Sequence, residues 1–220
     1  MAIGEKELNR LYEEGTEEEI DAYNDAMMDA LFRAEELDED DIPEVEKIYF
    51  DMDGVLADFN GGVIDFCDME APSLSGPEDK EKDAEMWRRI KNVDHFYANL
   101  DELPGSRCLF ETLYKKYRDK CEILSSIPKP ERGIEHAKED KIDWIRRKFS
   151  RDIKINIVES KKEKKNFCKG KGCILIDDME QNILDWKAAG GTGVMHVDPG
   201  HTLSRLHDRK VIDHYDYDLY

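Results

Sequence analysis

The chain has 220 residues and a mass of 25.6 kDa, 40% hydrophobic and 39% charged, which suffices for one good core and an appendage but not for two full-sized domains. Its 33 basic against 52 acidic residues leave a net charge of −19, which opposes binding to polymeric nucleic acid or to an anionic membrane surface. No apolar run approaches the roughly 20 residues of a membrane span, and Met1 to Arg10 has no apolar leader core. Five scattered cysteines, Cys67, Cys108, Cys121, Cys168 and Cys173, are an odd number for a disulfide framework. A cytoplasmic protein with reduced thiols is expected.

Residues 1–45 hold 17 acidic and 3 basic residues, so most of the net charge belongs to an N-terminal extension. Within it Thr16 to Glu19 reads as a capping box, and Ile20, Tyr23, Met27 and Leu31 follow at helical spacing, predicting an amphipathic helix over about 17–36. A helix packed on its own domain or a solvated extension is the simpler reading. The functional one is a docking arm for a protein partner. The acidic run Glu35 to Asp41, closed by Pro43, reads as a linker.

A short β-branched and aromatic run, Lys47 to Phe50, then stops at the carboxylate-rich turn Asp51-Met52-Asp53-Gly54. Similar runs follow at Glu122 to Leu124, Ile153 to Val158, Cys173 to Ile176 and Gly193 to Val197. Between them lie helical patterns at Leu109 to Tyr117, Ile134 to Phe149 with Trp144, and Asn182 to Ala189 with Trp186. Alternating strands and helices imply an α/β fold, a parallel sheet covered on both faces. The stretch 61–100 breaks the alternation, polar around Pro72 to Lys82 and helical around Ala84 to Ile90, and reads as an insertion after the first strand. The expected organisation is an extension (1–45), a core (46–60 and 101–200), the insertion (61–100) and an acidic C-terminal tail (201–220).

In an open parallel sheet, ligands bind beyond the carboxyl ends of the strands, so the strand-terminating residues form one set. Here they are Asp51 and Asp53, Ser125, a lysine from 161–165, and Asp177 with Asp178. Carboxylates converging on one rim repel one another unless a cation sits among them, and an all-oxygen site suits magnesium. The hydroxyl and the ammonium supply what a phosphate needs.

The run Asp51 to Phe59, ordered before Ser125, the lysine cluster and Ile176-Asp177-Asp178, resembles the four motifs of the haloacid dehalogenase superfamily. More narrowly, Asn182, Trp186, Gly190-Gly191, Gly193 and His196, with Leu103-Pro104-Gly105 and Lys141 through Trp144 upstream, resemble the 5'(3')-deoxyribonucleotidase family over about 47–198. That family often has Thr-Ser-Pro at its second motif, where this chain reads Ser125-Ser126-Ile127-Pro128.

The resemblance implies a Rossmann-like core with a small helical cap at 61–100, and a magnesium-dependent phosphomonoesterase acting on (deoxy)ribonucleoside monophosphates. Asp51 is then the nucleophile and Asp53 the acid and base. Asp51, the main-chain carbonyl of Asp53 and Asp177 hold Mg2+, with Asp178 orienting water or ligand around it. Ser125, Ser126 and a lysine bind phosphate; the triplet Lys162-Glu163-Lys164 favours Lys164, with Lys162 second. Another small phosphate ester, such as a sugar phosphate, or a binding role for the acidic arm are the rivals.

Phe59, Trp87, Phe96 and Tyr97 are the aromatic residues available in the cap to stack on a base, and each is equally a candidate for cap core. Cys168 and Cys173 lack the second pair a zinc site needs. His196 either reaches solvent near the rim or ends the last strand, and Asp58 either anchors the cap entrance or caps a helix.

Overall fold

The structure, a computed structural model, describes residues 44–72 and 79–213, together with Thr16, Ile20 and Tyr23. Of the expected helix over 17–36 only Ile20 and Tyr23 are described, both helical; the rest of it, and with it the docking arm, lies outside the described residues.

Five parallel strands form one sheet: β1 (Lys47–Phe50), β2 (Cys121–Ser126), β3 (Lys154–Val158), β4 (Cys173–Asp177) and β5 (Thr192–Met195), in the order β3-β2-β1-β4-β5. The first strand in sequence is thus central, with Phe50 paired to Ile123 of β2 on one side and Ile176 of β4 on the other. The strand order reverses beside β1, and that is where the crevice of such a sheet opens. Two layers of apolar side chains alternate along the strands. Ile48, Phe50, Ile123, Ile174 and Ile176 point into the larger core, while Tyr49, Leu124 and Leu175 point into a smaller one on the other face.

The larger core is covered by α3 (Ser106–Tyr117), α4 (Ala137–Lys148) and α6 (Pro199–Asp208), through Leu109, Phe110, Leu113, Trp144, Ile145, Leu203 and Leu206. The smaller is covered by α5 (Glu180–Ala188) with Ile183 and Trp186, and by Phe167 at the end of the 3-10 segment Lys161–Phe167. Each buried tryptophan has its indole N–H satisfied by a carbonyl: Trp144 donates to Leu100 and Trp186 to Cys173. The sheet covered by helices on both faces is the fold the alternation implies.

Between β1 and α3, where the insertion was expected, stand α1 (Phe59–Cys67), α2 (Lys80–Ile90) and a 3-10 turn, Phe96–Asn99. Asp58 caps α1, its carboxylate accepting the N–H of Gly61 at 2.8 Å. Of its two readings, the helix cap describes what it does.

The acidic tail expected over 201–220 needs correction. Residues 201–208 belong to α6, capped by Asp198, whose carboxylate accepts the N–H of His201. Thr202, Leu203 and Leu206, followed by Val211 and Ile212, are buried in the core. Four apolar side chains spaced among His, Arg and Asp form one buried stripe, which average composition conceals. Residues 214–220 lie outside the described residues. Among the described residues no helix is long and apolar enough to cross a membrane, and all five cysteines are unpaired.

Candidate active site

The ends of β1, β2 and β4 deliver their terminal residues to one rim. β1 runs into a tight turn in which the Met52 carbonyl accepts the N–H groups of Leu56 and Ala57, and Gly54 N–H is bonded to Ala57 O. Gly54 has φ +73°, and a Cβ built on it would lie 2.0 Å from Asp178 Oδ2. Both the backbone conformation and the approach of the neighbouring carboxylate therefore call for glycine.

Asp51, Asp177 and Asp178 are buried, and each offers a carboxylate oxygen within 4.8 Å of the others. The Lys164 ammonium lies between two of them, 2.7 Å from Asp51 Oδ2 and 2.7 Å from Asp177 Oδ2. The remaining bonds fix the carboxylates in place. Asp51 Oδ1 accepts Met52 N–H at 2.7 Å, and Asp177 Oδ1 accepts Met179 N–H and the Asn182 amide, both at 2.9 Å.

Among the described residues, three carboxylates face one ammonium, an excess of negative charge in a buried site. Burial accordingly raises the pKa of Asp177, against the opposing pull of Lys164, and burial raises Asp178 well above the usual carboxylate range, with the charges of Asp177 and Asp51 adding to it. Burial works against the charge of Lys164, but the carboxylates of Asp177 and Asp51 outweigh it and raise its pKa. An all-oxygen donor set carrying excess negative charge fits a hard divalent cation.

Asp53 turns away from this cluster. Its Oδ2 receives the Lys141 ammonium at 2.6 Å, and its Oδ1 is buried with no hydrogen-bond partner among the described residues. Burial raises the Asp53 pKa; Lys141 pulls it down and Asp51 pushes it further up. An orphaned carboxyl oxygen kept toward its protonated form is suited to giving a proton to a group that arrives beside it.

Lys141 is the residue the sequence reading passed over as a site residue. Its side chain is fully buried and also reaches Ser125 Oγ at 3.1 Å and the Ser126 carbonyl at 2.8 Å, with the Tyr97 ring centroid 4.6 Å away. It stands on the buried face of α4 with Ala137, Trp144 and Ile145. A lysine at i+4 from one apolar position and i−3 and i−4 from two others was the signal available in the sequence.

Of the lysine cluster, the structure brings Lys164 to the rim and not Lys162. Lys161, Lys162 and Lys165 are exposed, because a short helical segment can turn only one side toward the sheet. Ser125 is at the rim, while Ser126 contributes its carbonyl to Lys141. His196 is not at a solvent-facing rim: it is buried, its Nδ1 is 2.8 Å from Thr202 Oγ1, and its N–H is bonded to Asp177 O.

The four cap aromatics form one cluster in which Phe59 contacts Trp87, Phe96 and Tyr97 at ring separations of 5.9, 5.6 and 6.2 Å. Phe59 and Phe96 are buried cap core, and Tyr97 is buried with its ring against Lys141. Trp87 is half-buried, and the Arg132 guanidinium lies over its ring at 3.9 Å. Asp83 binds both, accepting the Trp87 indole N–H and Arg132 Nη2 at 2.9 Å each. The indole face under Arg132 is thus already stacked. Cys168 and Cys173 join no group of metal-ligating side chains among the described residues.

Comparison with known proteins adds two findings. A family model described as "5' nucleotidase, deoxy (Pyrimidine), cytosolic type C protein" matches residues 45–208. A protein of Vibrio phage KVP40 named "Putative 5'(3')-deoxyribonucleotidase" is 27% identical over 135 residues, 61% of this chain and 67% of that protein. The family match runs from β1 through α6, ten residues beyond the resemblance read from the motifs.

Proposed function

The chain belongs to the family of 5' nucleotidases, deoxy (pyrimidine), cytosolic type C, and from that membership we propose that it hydrolyses (deoxy)ribonucleoside monophosphates with Mg2+, through an aspartyl-phosphate on Asp51. It is a phosphoric monoester hydrolase of an α/β fold. The observation that carries the finer reading is one rim holding a buried three-carboxylate cluster beside two buried ammonium groups, those of Lys164 and Lys141. The relative's printed name supports nucleotides as the substrate class. A cytoplasmic location accords with the family description.

In this reading Asp51 attacks phosphorus in line, the bond from phosphorus to the ribose oxygen breaks, and Asp53 gives that oxygen its proton. Asp53, now ionised, takes a proton from the water that attacks the aspartyl-phosphate, releasing inorganic phosphate and restoring both residues. Met52 N–H and Lys164 hold the Asp51 carboxylate in one orientation throughout. Ser125 Oγ and Lys141, which are hydrogen-bonded to each other, bind the phosphoryl oxygens. Asp51, the main-chain carbonyl of Asp53 and Asp177 would hold Mg2+, with Asp178 orienting its surroundings. When bound, the ion supplies positive charge between the anionic nucleophile and the anionic ester.

In this reading the cap expected at 61–100 is built by α1, which begins two residues earlier, α2 and the 3-10 turn Phe96–Asn99. Because Phe59, Phe96 and Tyr97 are buried in the cap, half-buried Trp87 is the aromatic through which the cap would meet a base. The packing of these rings also supports a second reading, a smaller ester such as a sugar phosphate, for which no aromatic platform is needed.

The test is phosphate release from a panel of nucleoside 5'- and 3'-monophosphates and sugar phosphates, with Mg2+ and with EDTA, against Asp51→Asn as the blank. Magnesium-dependent preference for nucleotides is expected. Turnover confined to sugar phosphates overturns the substrate assignment, and turnover retained by Asp51→Asn overturns the nucleophile.

A further inference from the structure

We propose that His95 and Asp140 form a positioning pair for Lys141, locking the cap turn that carries Tyr97 onto the core helix that carries the lysine; the proposal rests on the phosphoryl-binding role given to Lys141 above. His95 Nδ1 lies 2.6 Å from Asp140 Oδ1, and Asp140 is itself buried. His95 immediately precedes the 3-10 turn Phe96–Asn99, and Asp140 immediately precedes Lys141 in α4. The pair therefore joins the same two elements as the contact of Lys141 with the Tyr97 ring.

The two contacts belong to a longer seam. Further along α4, Trp144 donates to Leu100 O and Arg147 to Ala98 O, both at 2.7 Å. Residues 140, 141, 144 and 147 lie at helical spacing on one face, so α4 is fastened to residues 95–100 at every turn. At its N-terminal end, beside the active site, the fastening is His95 with Asp140.

His95 is built into that position. It has φ +50°, a left-handed conformation that is uncommon outside glycine, and its ring stacks on His136 with centroids 4.9 Å apart. Removing His95 would leave a buried carboxylate without this partner in the helical turn that carries Lys141. The pair thus fixes the backbone from which Lys141 reaches Asp53 and Ser125.

The other fastenings are carbonyl or aromatic contacts that hold at any neutral pH, whereas an imidazole can lose its proton there. The groups facing His95 are Asp140 and His136 from α4 and the residues before it, and Asp94 from its own loop, 3.8 Å from Nε2. Arg147 meets the turn at its far end, and α1 packs on it through Phe59 and Phe66 against Phe96, with Asp65 of α1 exposed. The hydrogen bond and charge of Asp140 raise the His95 pKa, with Asp94 adding to it. The charged pair is therefore complete below the ordinary histidine range and is lost as pH rises through the raised value.

The test uses the whole chain. In an NMR titration, the His95 imidazole and the Lys141 ε-methylene signals of the wild type are expected to shift with one common midpoint. In Asp140→Asn that midpoint is expected at lower pH. Steady-state turnover of a small aryl phosphate with Mg2+ gives the second readout. His95→Asn, which tolerates the left-handed backbone, is expected to lower kcat by about tenfold, on the order of what a small misplacement near the chemistry does, with KM little changed. It is also expected to lose an alkaline inflection that the wild type shows, and His95→Arg, whose cation persists, to restore kcat and hold it above that inflection. Lys141 signals indifferent to His95, or variants with wild-type kcat and pH profile, overturn the proposal. If nucleotides are not turned over while the aryl phosphate is, the substrate assignment fails and the positioning pair stands. If no substrate is turned over, the NMR arm alone decides the pair.

Discussion

Lys141, from a helix on the large core, places its ammonium 2.6 Å from the carboxylate of Asp53, two residues along the chain from Asp51 of the three-carboxylate cluster. The rim thus holds two ammonium groups with different partners. Lys164 sits within the acidic cluster, and Lys141 sits with the acid and the hydroxyl.

Replacing Lys141 by Met keeps the volume of the side chain and removes its charge. We expect kcat for phosphate release to fall about 100-fold, the scale seen when one preorganised donor is taken from a developing anion. Asp53 should also lose the pull that now opposes burial, so its pKa should rise further. A pH–rate profile that keeps its wild-type shape in Lys141→Met would contradict this assignment.

Lys164 and Lys162 are separated by the same kind of experiment. Lys164→Met strips a buried ammonium from two carboxylates, and breaking a buried pair from one side destabilises by about 3–5 kcal/mol. Loss of turnover with a lowered Tm is expected, the latter partly recovered by Mg2+. Lys162→Ala should leave kcat and Tm unchanged, because its side chain is exposed. A matching loss in both variants would show that the cluster acts collectively.

Gly54→Ala tests the closeness of the turn to Asp178. The added methyl would overlap Asp178 Oδ2, and φ at +73° adds strain. We expect the magnesium concentration for half-maximal activity to rise at least about tenfold, a loss typical of disturbing the groups that orient a metal's ligands. Unchanged magnesium dependence would place Asp178 outside the metal's surroundings.

His196 should make the fold sensitive to acid. Burial lowers its pKa to about 3, with a smaller contribution from His201, so the folded chain keeps it neutral while the unfolded chain takes a proton below about 6.5. Stability should therefore be intact above that range and decline as pH falls from it toward about 3. Two pH units below the unfolded value, the loss is about 2–3 kcal/mol. Urea unfolding of wild type and His196→Asn at pH 7 and pH 4.5 checks this; equal declines in both would place the acid sensitivity elsewhere.

Much of this arrangement was legible in the residues. The run Lys47 to Phe50 coincides with β1, and the other strands lie within a residue or two of the apolar runs that announced them, because each ends at a polar rim that the sequence displays. The Lys162-Glu163-Lys164 triplet pointed to the lysine that turns inward. Lys141 was harder: in a helix rich in Lys, Arg, Glu and Asp, one lysine on the buried stripe looks like its solvated neighbours until a sheet is placed beneath it. The same crowding hid Leu203, Leu206, Val211 and Ile212 in what read as an acidic tail. The cap aromatics failed differently, since a ring suited to stacking on a base is equally suited to stacking on another ring.

The central place of β1 bears on how the chain is made. Its partners Ile123 and Ile176 come much later in the sequence, so during synthesis the strand leading to Asp51 emerges with both hydrogen-bonding edges bare. Parallel pairing over such separations is slow to form, and an unpaired apolar edge invites association with other chains. The strand that carries the nucleophile of the proposed reaction is thus the one most exposed to misassembly on the ribosome, and it is sheltered on both sides only when β4 has been translated.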